Sequence, residues 1–167
     1  MAGLSGSGKS TTAQQLARQA KAIRLRSDAV RKHLAGIDLY EKGGDEIYTP
    51  TMTDKTYSRL IELGVQLAKR GDRIILDAKF DRLAKRKEAL TAAKKQNIPL
   101  TFLYCTAPAD VLEARVEKRS GDIADATAAI LAKQTMEPFE ETDPVMVIDT
   151  TQSAEAIQQQ LASVFDA

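Results

Sequence analysis

Cysteine is nearly absent from this chain, and tryptophan is missing altogether. The lone Cys105 cannot form an internal disulfide, so a small disulfide-stapled secreted scaffold is excluded. His33 is the only histidine and has no cysteine or histidine partner at metal spacing, which removes a structural zinc site. No apolar run approaches the roughly 20 residues that would span a bilayer. No basic, apolar, small-residue leader precedes the first motif either, and together these predict a cytoplasmic protein without a membrane partner. An excess of either charge is also lacking: 24 basic against 23 acidic residues give a net charge of +1. There is then no global field to gather nucleic acid, and any basic site must be local.

What is present is ordinary globular composition, with 43% hydrophobic and 28% charged residues in 167. That length fits one domain, so 1–167 is read as a single unit. Short apolar runs alternate with longer helical segments, the pattern of an α/β domain with a mostly parallel sheet. Ala13, Leu16, Ala17 and Ala20 recur at helical spacing and predict a helix over Ser10–Ala22. Strands are predicted at Ile23–Arg26, Ile74–Asp77, Leu100–Cys105 and Val145–Ile148. Helices are predicted at Asp28–Leu34, stopped by Gly36, at Thr53–Lys69, closed by Gly71, and at Leu83–Gln96, after Pro108, at Ala124–Met136 and at Ala154–Val164. The helix over Leu83–Gln96 is expected to carry Lys85, Arg86, Lys87, Lys94 and Lys95 on its solvent face. With no aromatics interleaved, that basic stretch predicts no nucleic-acid groove. Cys105 ends a buried strand, where an inert thiol is the expectation.

Gly3-Leu4-Ser5-Gly6-Ser7-Gly8-Lys9-Ser10 matches the phosphate-loop pattern G-x-x-x-x-G-K-[ST] and leads into a helix, as its mechanism requires. Glycines let successive backbone N–H groups turn inward around a β-phosphate, and the helix N-terminus adds a positive dipole end. Lys9 would reach the β and γ oxygens, Ser10 would ligate Mg²⁺, and Thr11 sits in the first helical turn beside them. The loop predicts ATP and Mg²⁺ as cofactors, while hydrolysis, transfer and mere binding all share it.

Three further groups surround that loop in the expected fold. Asp28 and Arg31 stand one helical turn apart after the second strand, where carboxyl ends of parallel strands border the ligand crevice. Asp28 could accept the proton of an attacking hydroxyl and Arg31 could hold an anionic part of the acceptor. The alternative is a helix cap beside a solvated charge. Asp77 ends the apolar strand Ile74-Ile75-Leu76, the place for a carboxylate that holds Mg²⁺, or else for a loop cap. Arg115 and Arg119 lie four apart, as do Glu113 and Glu117, and neither like-charge pair stabilises its helix. Arg115 is therefore read as a nucleotide contact and Arg119 as a lid arginine neutralising the transferred group, against a solvated face or an Arg119–Asp122 pair. The segment from Asp38 to Thr53, with Tyr40 and Tyr48, could supply acceptor specificity.

The phosphate loop taken with Ser27-Asp28-x-x-Arg31, Ile74-Ile75-Leu76-Asp77-Ala78-x-Phe80 and Ala107-Pro108-x-x-Val111-Leu112-x-x-Arg115-x-x-x-Arg119 resembles bacterial P-loop kinase-like ATP-binding domains. The likeness runs from Gly3 to about Glu137. Such domains are often described only as AAA family ATPases, sometimes sit behind an aminoglycoside phosphotransferase-like domain, and are similar to polynucleotide kinase and zeta-toxin kinase domains. The resemblance implies a nucleoside-monophosphate-kinase-like three-layer sandwich. It also implies Asp28 as general base, Arg31 as acceptor contact, Arg119 as lid arginine, and Lys9 and Ser10 as phosphate and Mg²⁺ residues. The implied reaction is transfer of the γ-phosphoryl of MgATP to a hydroxyl of a small-molecule or nucleotide acceptor, with nucleic acid entering only as an end-phosphorylation substrate. The alternatives are an ATPase or a non-catalytic nucleotide-binding regulatory module. The family places a buried strand before the phosphate loop, whereas only Met1 and Ala2 precede Gly3 here. The expectation is a truncated first strand, with unpaired backbone groups on its neighbours and an open core, as in a piece of a longer protein.

Overall fold

A computed structural model describes residues 1–118 and 128–165. Its strands β1 (Ile23–Arg26) and β2 (Ile74–Asp77) pair in parallel, with Ile23 opposite Ile74 and Arg26 opposite Asp77. Strands β3 (Phe102–Thr106) and β4 (Val145–Asp149) form a second parallel pair. The first residues of the chain join the pairs. The Met1 ammonium donates to Leu76 O at 2.7 Å, Ala2 N–H to Leu103 O at 2.8 Å, and Cys105 N–H to Ala2 O at 2.9 Å. Met1 and Ala2 thus satisfy the backbone at the carboxyl ends of both neighbours. Beside them lies an apolar cavity of about 260 Å³, lined by Met1, Ile75, Leu76, Phe102, Leu103 and Phe165 among others. Its lining also includes Ile74, Leu100 and Thr101, at the amino ends of β2 and β3.

Alternation along each strand divides the core into layers, because successive side chains of a strand point to opposite faces. Ile75, Leu103, Cys105 and Ile148 pack with Ala13 and Leu16 of α1 (Lys9–Ala20) and with Ile157 and Leu161 of α7 (Ala154–Leu161). On the other face Phe102 meets Tyr57, Leu60 and Ile61 of α3 (Pro50–Ala68) and Ala89 of α4 (Leu83–Lys94). Tyr57, Phe80 and Phe102 form an edge-on chain with centroids 5.2 and 5.6 Å apart, and Phe80 N–H donates to the Tyr57 hydroxyl at 3.1 Å. That hydroxyl fixes Phe80 in a left-handed backbone conformation (φ 46°), uncommon for a bulky residue.

Element boundaries follow local chemistry. Gly36, at φ 71°, ends α2 (Ser27–Ala35) as expected, its N–H returning to Lys32 O and His33 O. Helix α3 begins at Pro50 and not at Thr53, since Thr49 Oγ1 accepts the Met52 N–H and proline suits the first helical position. A short 3-10 helix, Asp45–Tyr48, interrupts the expected loop. Helix α5 spans Ala109–Glu117.

Two expectations are corrected. Arg86 does not lie on the solvent face of α4: it is 0% exposed. Its guanidinium donates to the carbonyls of Phe80, Glu137 and Pro138 and lies 4.3 Å from the Phe139 ring centroid. Helix α6 is only Ala128–Leu131 among the described residues, and does not reach Met136. Beyond it, Met136 and Phe139 pack on the sheet and Glu137 N–H bonds to Asp81 O, ties that a continuing helix would break.

Candidate functional site

The segment Gly3–Gly8 turns beneath α1, whose first-turn N–H groups have no side-chain cap. Gly3 (φ 136°) and Gly6 (φ 79°) are required sterically as well as conformationally. A Cβ on Gly3 would stand 2.5 Å from Cys105 O, and one on Gly6 would stand 2.5 Å from Leu112 O. The loop is held by neutral groups together with Arg115 and Lys9. Gln134 clasps Ser5, accepting its N–H at 2.9 Å and donating to its Oγ at 3.0 Å. Thr150 Oγ1 donates to Ser7 O and accepts from Arg115 Nη1 at 2.8 Å, while Arg115 Nη2 donates to Thr150 O at 2.9 Å. Lys9 Nζ donates to Leu4 O at 2.9 Å, across the loop. Ser7 Oγ is buried without a partner, an orphaned hydroxyl in a loop whose backbone donors suit an anion. Thr11 is exposed one residue beyond Ser10.

Helix α1 starts so that Ser10 Oγ donates to Asp77 Oδ2 at 3.1 Å. The same oxygen takes Arg24 Nε at 3.0 Å and Arg24 Nη2 at 2.5 Å, with Arg26 Nε at 4.0 Å. Among the described residues there is no group of three or more His, Cys, Asp or Glu able to hold a metal. A lone hydroxyl and carboxylate nonetheless fit Mg²⁺, which takes few protein oxygens and completes its shell with water and substrate phosphates. Ser10 and Asp77 are the residues that would hold it.

Asp28 opens α2 at the carboxyl end of β1. Burial raises its proton affinity above the ordinary value; Arg26, Lys9 and Arg31 oppose that rise and Asp77 adds to it. Its carboxyl therefore lies in the same electrostatic neighbourhood as the phosphate-loop lysine and the β2 carboxylate. Arg31 is 7% exposed, and its Nη1 donates to Ile47 O at 2.8 Å and Thr53 Oγ1 at 3.2 Å, with the guanidinium 4.9 Å from the Tyr48 ring centroid. Its Nε is buried without a hydrogen-bond partner. Lys32, 2% exposed, donates to Leu39 O and Glu41 O at 3.3 and 2.6 Å. Two consecutive cations thus anchor the segment over 37–49, where Tyr40 and Tyr48 are exposed.

Lys9, Ser10, Asp28 and Asp77, expected from sequence, come together at one end of the sheet. Arg115 is there too, but held by Thr150 and the Gly6 carbonyl, so its partners are in the chain and not only outside it. Arg119 and Asp122 lie outside the described residues. Sequence reasoning missed Arg24, Lys32, Gln134 and Thr150. Only Arg24 carried a signal, a charge at alternate spacing with Arg26 in a strand otherwise apolar. His33 is exposed, and burial raises the pKa of the Cys105 thiol, as an inert residue requires.

A parallel sheet whose carboxyl ends carry a phosphate loop, a metal-suited hydroxyl–carboxylate pair and a separate, partly buried carboxylate defines a P-loop nucleotide-binding domain of the kinase type. Residues 1–141 match the model of the AAA domain family, and the chain belongs to that family. It is 30% identical over 185 residues to the dephospho-CoA kinase of Mesorhizobium japonicum, covering 98% of this chain and 94% of that protein. Among solved structures, an unliganded sugar kinase from Janibacter sp. is 25% identical with a TM-score of 0.71, covering 98% of this chain and 91% of that one. The APS kinase CysC of Mycobacterium tuberculosis, in complex with AMPPNP and APS, is 23% identical with a TM-score of 0.72, covering 99% and 92% of the two chains, and supports the fold. The family and these relatives indicate a nucleotide-binding phosphotransferase in general and leave the acceptor open. No described helix is long and apolar enough to cross a membrane.

Proposed function

We propose that this protein transfers the γ-phosphoryl group of ATP to a hydroxyl of a small-molecule or nucleotide acceptor. The observation that carries the reading is Asp28: a partly buried carboxyl with raised proton affinity at the carboxyl end of β1, in the field of Lys9 and Asp77. A carboxylate that binds its proton more tightly than usual is a better base near neutral pH.

In this reading Gly3–Ser10 and Thr11 cradle the β-phosphate and Lys9 moves from Leu4 O onto the β and γ oxygens. Ser10 and Asp77 would hold Mg²⁺, which would supply charge neutralisation to the phosphates. Asp28 takes the proton of the acceptor hydroxyl as its oxygen bonds to the γ-phosphorus, and the bond from that phosphorus to the β–γ bridging oxygen breaks to release ADP. Arg119 neutralises charge on the transferred group, and Arg115 orders the nucleotide through the loop it shares with Thr150. Arg31 acts on the acceptor through the segment it anchors, with Nε as its remaining donor.

The test is Mg²⁺-dependent transfer from γ-labelled ATP to a panel of sugars, nucleosides, aminoglycosides, 5′-hydroxyl oligonucleotides, dephospho-CoA and adenylyl sulfate. Label on one acceptor, lost in Asp28→Asn while ATP binding remains, supports the reading. ATP binding that depends on Lys9 without transfer to any acceptor would point to an ATPase or a regulatory module.

A further inference from the structure

Asp77 is 4% exposed, and one of its two oxygens receives three hydrogen bonds: two from the Arg24 guanidinium and one from Ser10. Strand register does not by itself produce this arrangement. Arg26 is directly opposite Asp77 on the neighbouring strand, yet its Nε stays 4.0 Å from Oδ2. Arg24, opposite Ile75 and two residues earlier on the same face, reaches diagonally to make the 2.5 Å contact. A positive group therefore sits on the oxygen that Ser10 also binds, where the preceding reading puts a divalent cation. A carboxylate oxygen has two lone pairs, so a metal ion, the serine and both guanidinium N–H groups cannot all be served by it at good geometry. Two cations converging on one atom also repel, most strongly where water is excluded.

We infer that Arg24 is a stand-in counter-cation for the metal carboxylate. It holds Asp77 Oδ2 toward Ser10 before the metal arrives and gives up that oxygen when a divalent ion enters with the nucleotide. Arg24 is thus a positioning residue: it keeps a buried carboxylate aimed at Ser10, and it lowers the affinity of the site for the bare metal. The inference rests on Ser10 and Asp77 being the metal pair.

The test uses Mn²⁺ as probe, with free ion read by electron paramagnetic resonance in the absence of nucleotide. Arg24→Gln is expected to bind Mn²⁺ at least about fivefold more tightly than wild type, and Asp77→Asn at least about tenfold more weakly. The double variant is expected to match Asp77→Asn. Unchanged or weaker binding in Arg24→Gln overturns the inference, including the case where that variant only loses stability because β1 is untied from β2. Should Asp77→Asn leave Mn²⁺ binding untouched, the metal-pair reading itself fails, which is a separate outcome. If Arg24→Gln does not fold, the wild-type Arg24 Nε–H resonance, assigned against Arg24→Lys, decides the matter. Mg²⁺ with ADP should shift it and speed its hydrogen exchange, and ADP alone should not; a resonance indifferent to Mg²⁺ overturns the proposal.

Discussion

The loop over residues 3–10 and the segment over 37–49 are held by different mixtures of groups. Gly3–Ser10 is fixed by glycine conformations, by neutral groups (Gln134 on Ser5, Thr150 on Ser7), by backbone bonds to Lys79 O and Leu103 O through Gly3 and Ala2, and by Lys9 and Arg115 on the Leu4 and Gly6 carbonyls. The 37–49 segment hangs from Arg31 and Lys32, two buried cations that donate to its carbonyls. A site for a highly charged phosphate chain gains from a wall of fixed dipoles that need no reorganisation. A segment that selects an acceptor can differ between relatives without disturbing that wall, provided its anchor points stay on α2.

Substitutions can break this comparison at several strengths. The largest effect is expected from Asp28→Asn: label transfer should fall on the order of 10²–10⁴-fold, the usual contribution of a positioned base, with ADP affinity by calorimetry unchanged. Gly6→Ala comes next and attacks the other side. Its Cβ would meet Leu112 O and its φ of 79° disfavours alanine, so a cost of roughly 1–3 kcal/mol in urea unfolding should accompany loss of nucleotide binding.

Arg31→Met should be smaller and confined to the acceptor side. Leaving the Ile47 carbonyl buried without its donor costs on the order of 1–3 kcal/mol, and limited proteolysis should cut within 37–49 while ADP binding persists. Loss of ADP binding together with the segment would show that the two regions are not independent. Arg115→Ala is the counterpart on the nucleotide side. It removes the donors to Thr150, and weaker ADP binding with an unchanged proteolysis pattern over 37–49 would sharpen the division.

The smallest effect concerns pH. Burial raises the Asp28 pKa above its ordinary 3.8, so folding favours the neutral carboxyl. Its contribution to stability is full below 3.8 and lost as pH rises through the folded value. Asp28→Asn removes that loss, so the variant should melt higher than wild type at pH 7, by about 2–4 °C for each kcal/mol relieved, and the difference should shrink toward acid. The acid limb of transfer should fall at a pH above the ordinary carboxylate range for the same reason. An equal or lower melting temperature in the variant would mean that the charged carboxylate is well satisfied in the fold.

Much of this was legible in the residues because it depends on local periods and caps. Strands β1 and β2 ran where the apolar residues put them, Gly36 and the αL geometry it permits stopped α2, and Gly3–Ser10 announced a phosphate loop through spacing alone. The misreading of Arg86 as a solvent-face charge has a plain cause: a sequence shows that a residue is charged and not that carbonyls from a distant loop surround it. Arg86 binds carbonyls more than 50 positions away, at Glu137 and Pro138. Gln134 and Thr150 were invisible for the same reason, being neutral side chains whose partners lie across the chain.

The sequence by itself determined the layered α/β class, the glycine loop at a helix start, and the placing of Asp28 and Asp77 at strand ends, because hydrophobic period and backbone sterics act over a few residues. Only the tertiary structure decided which charges face ligand and which hold the protein together. Burying a cation is tolerable only where several oxygens from separated segments converge on it, and that convergence exists only once the chain has folded.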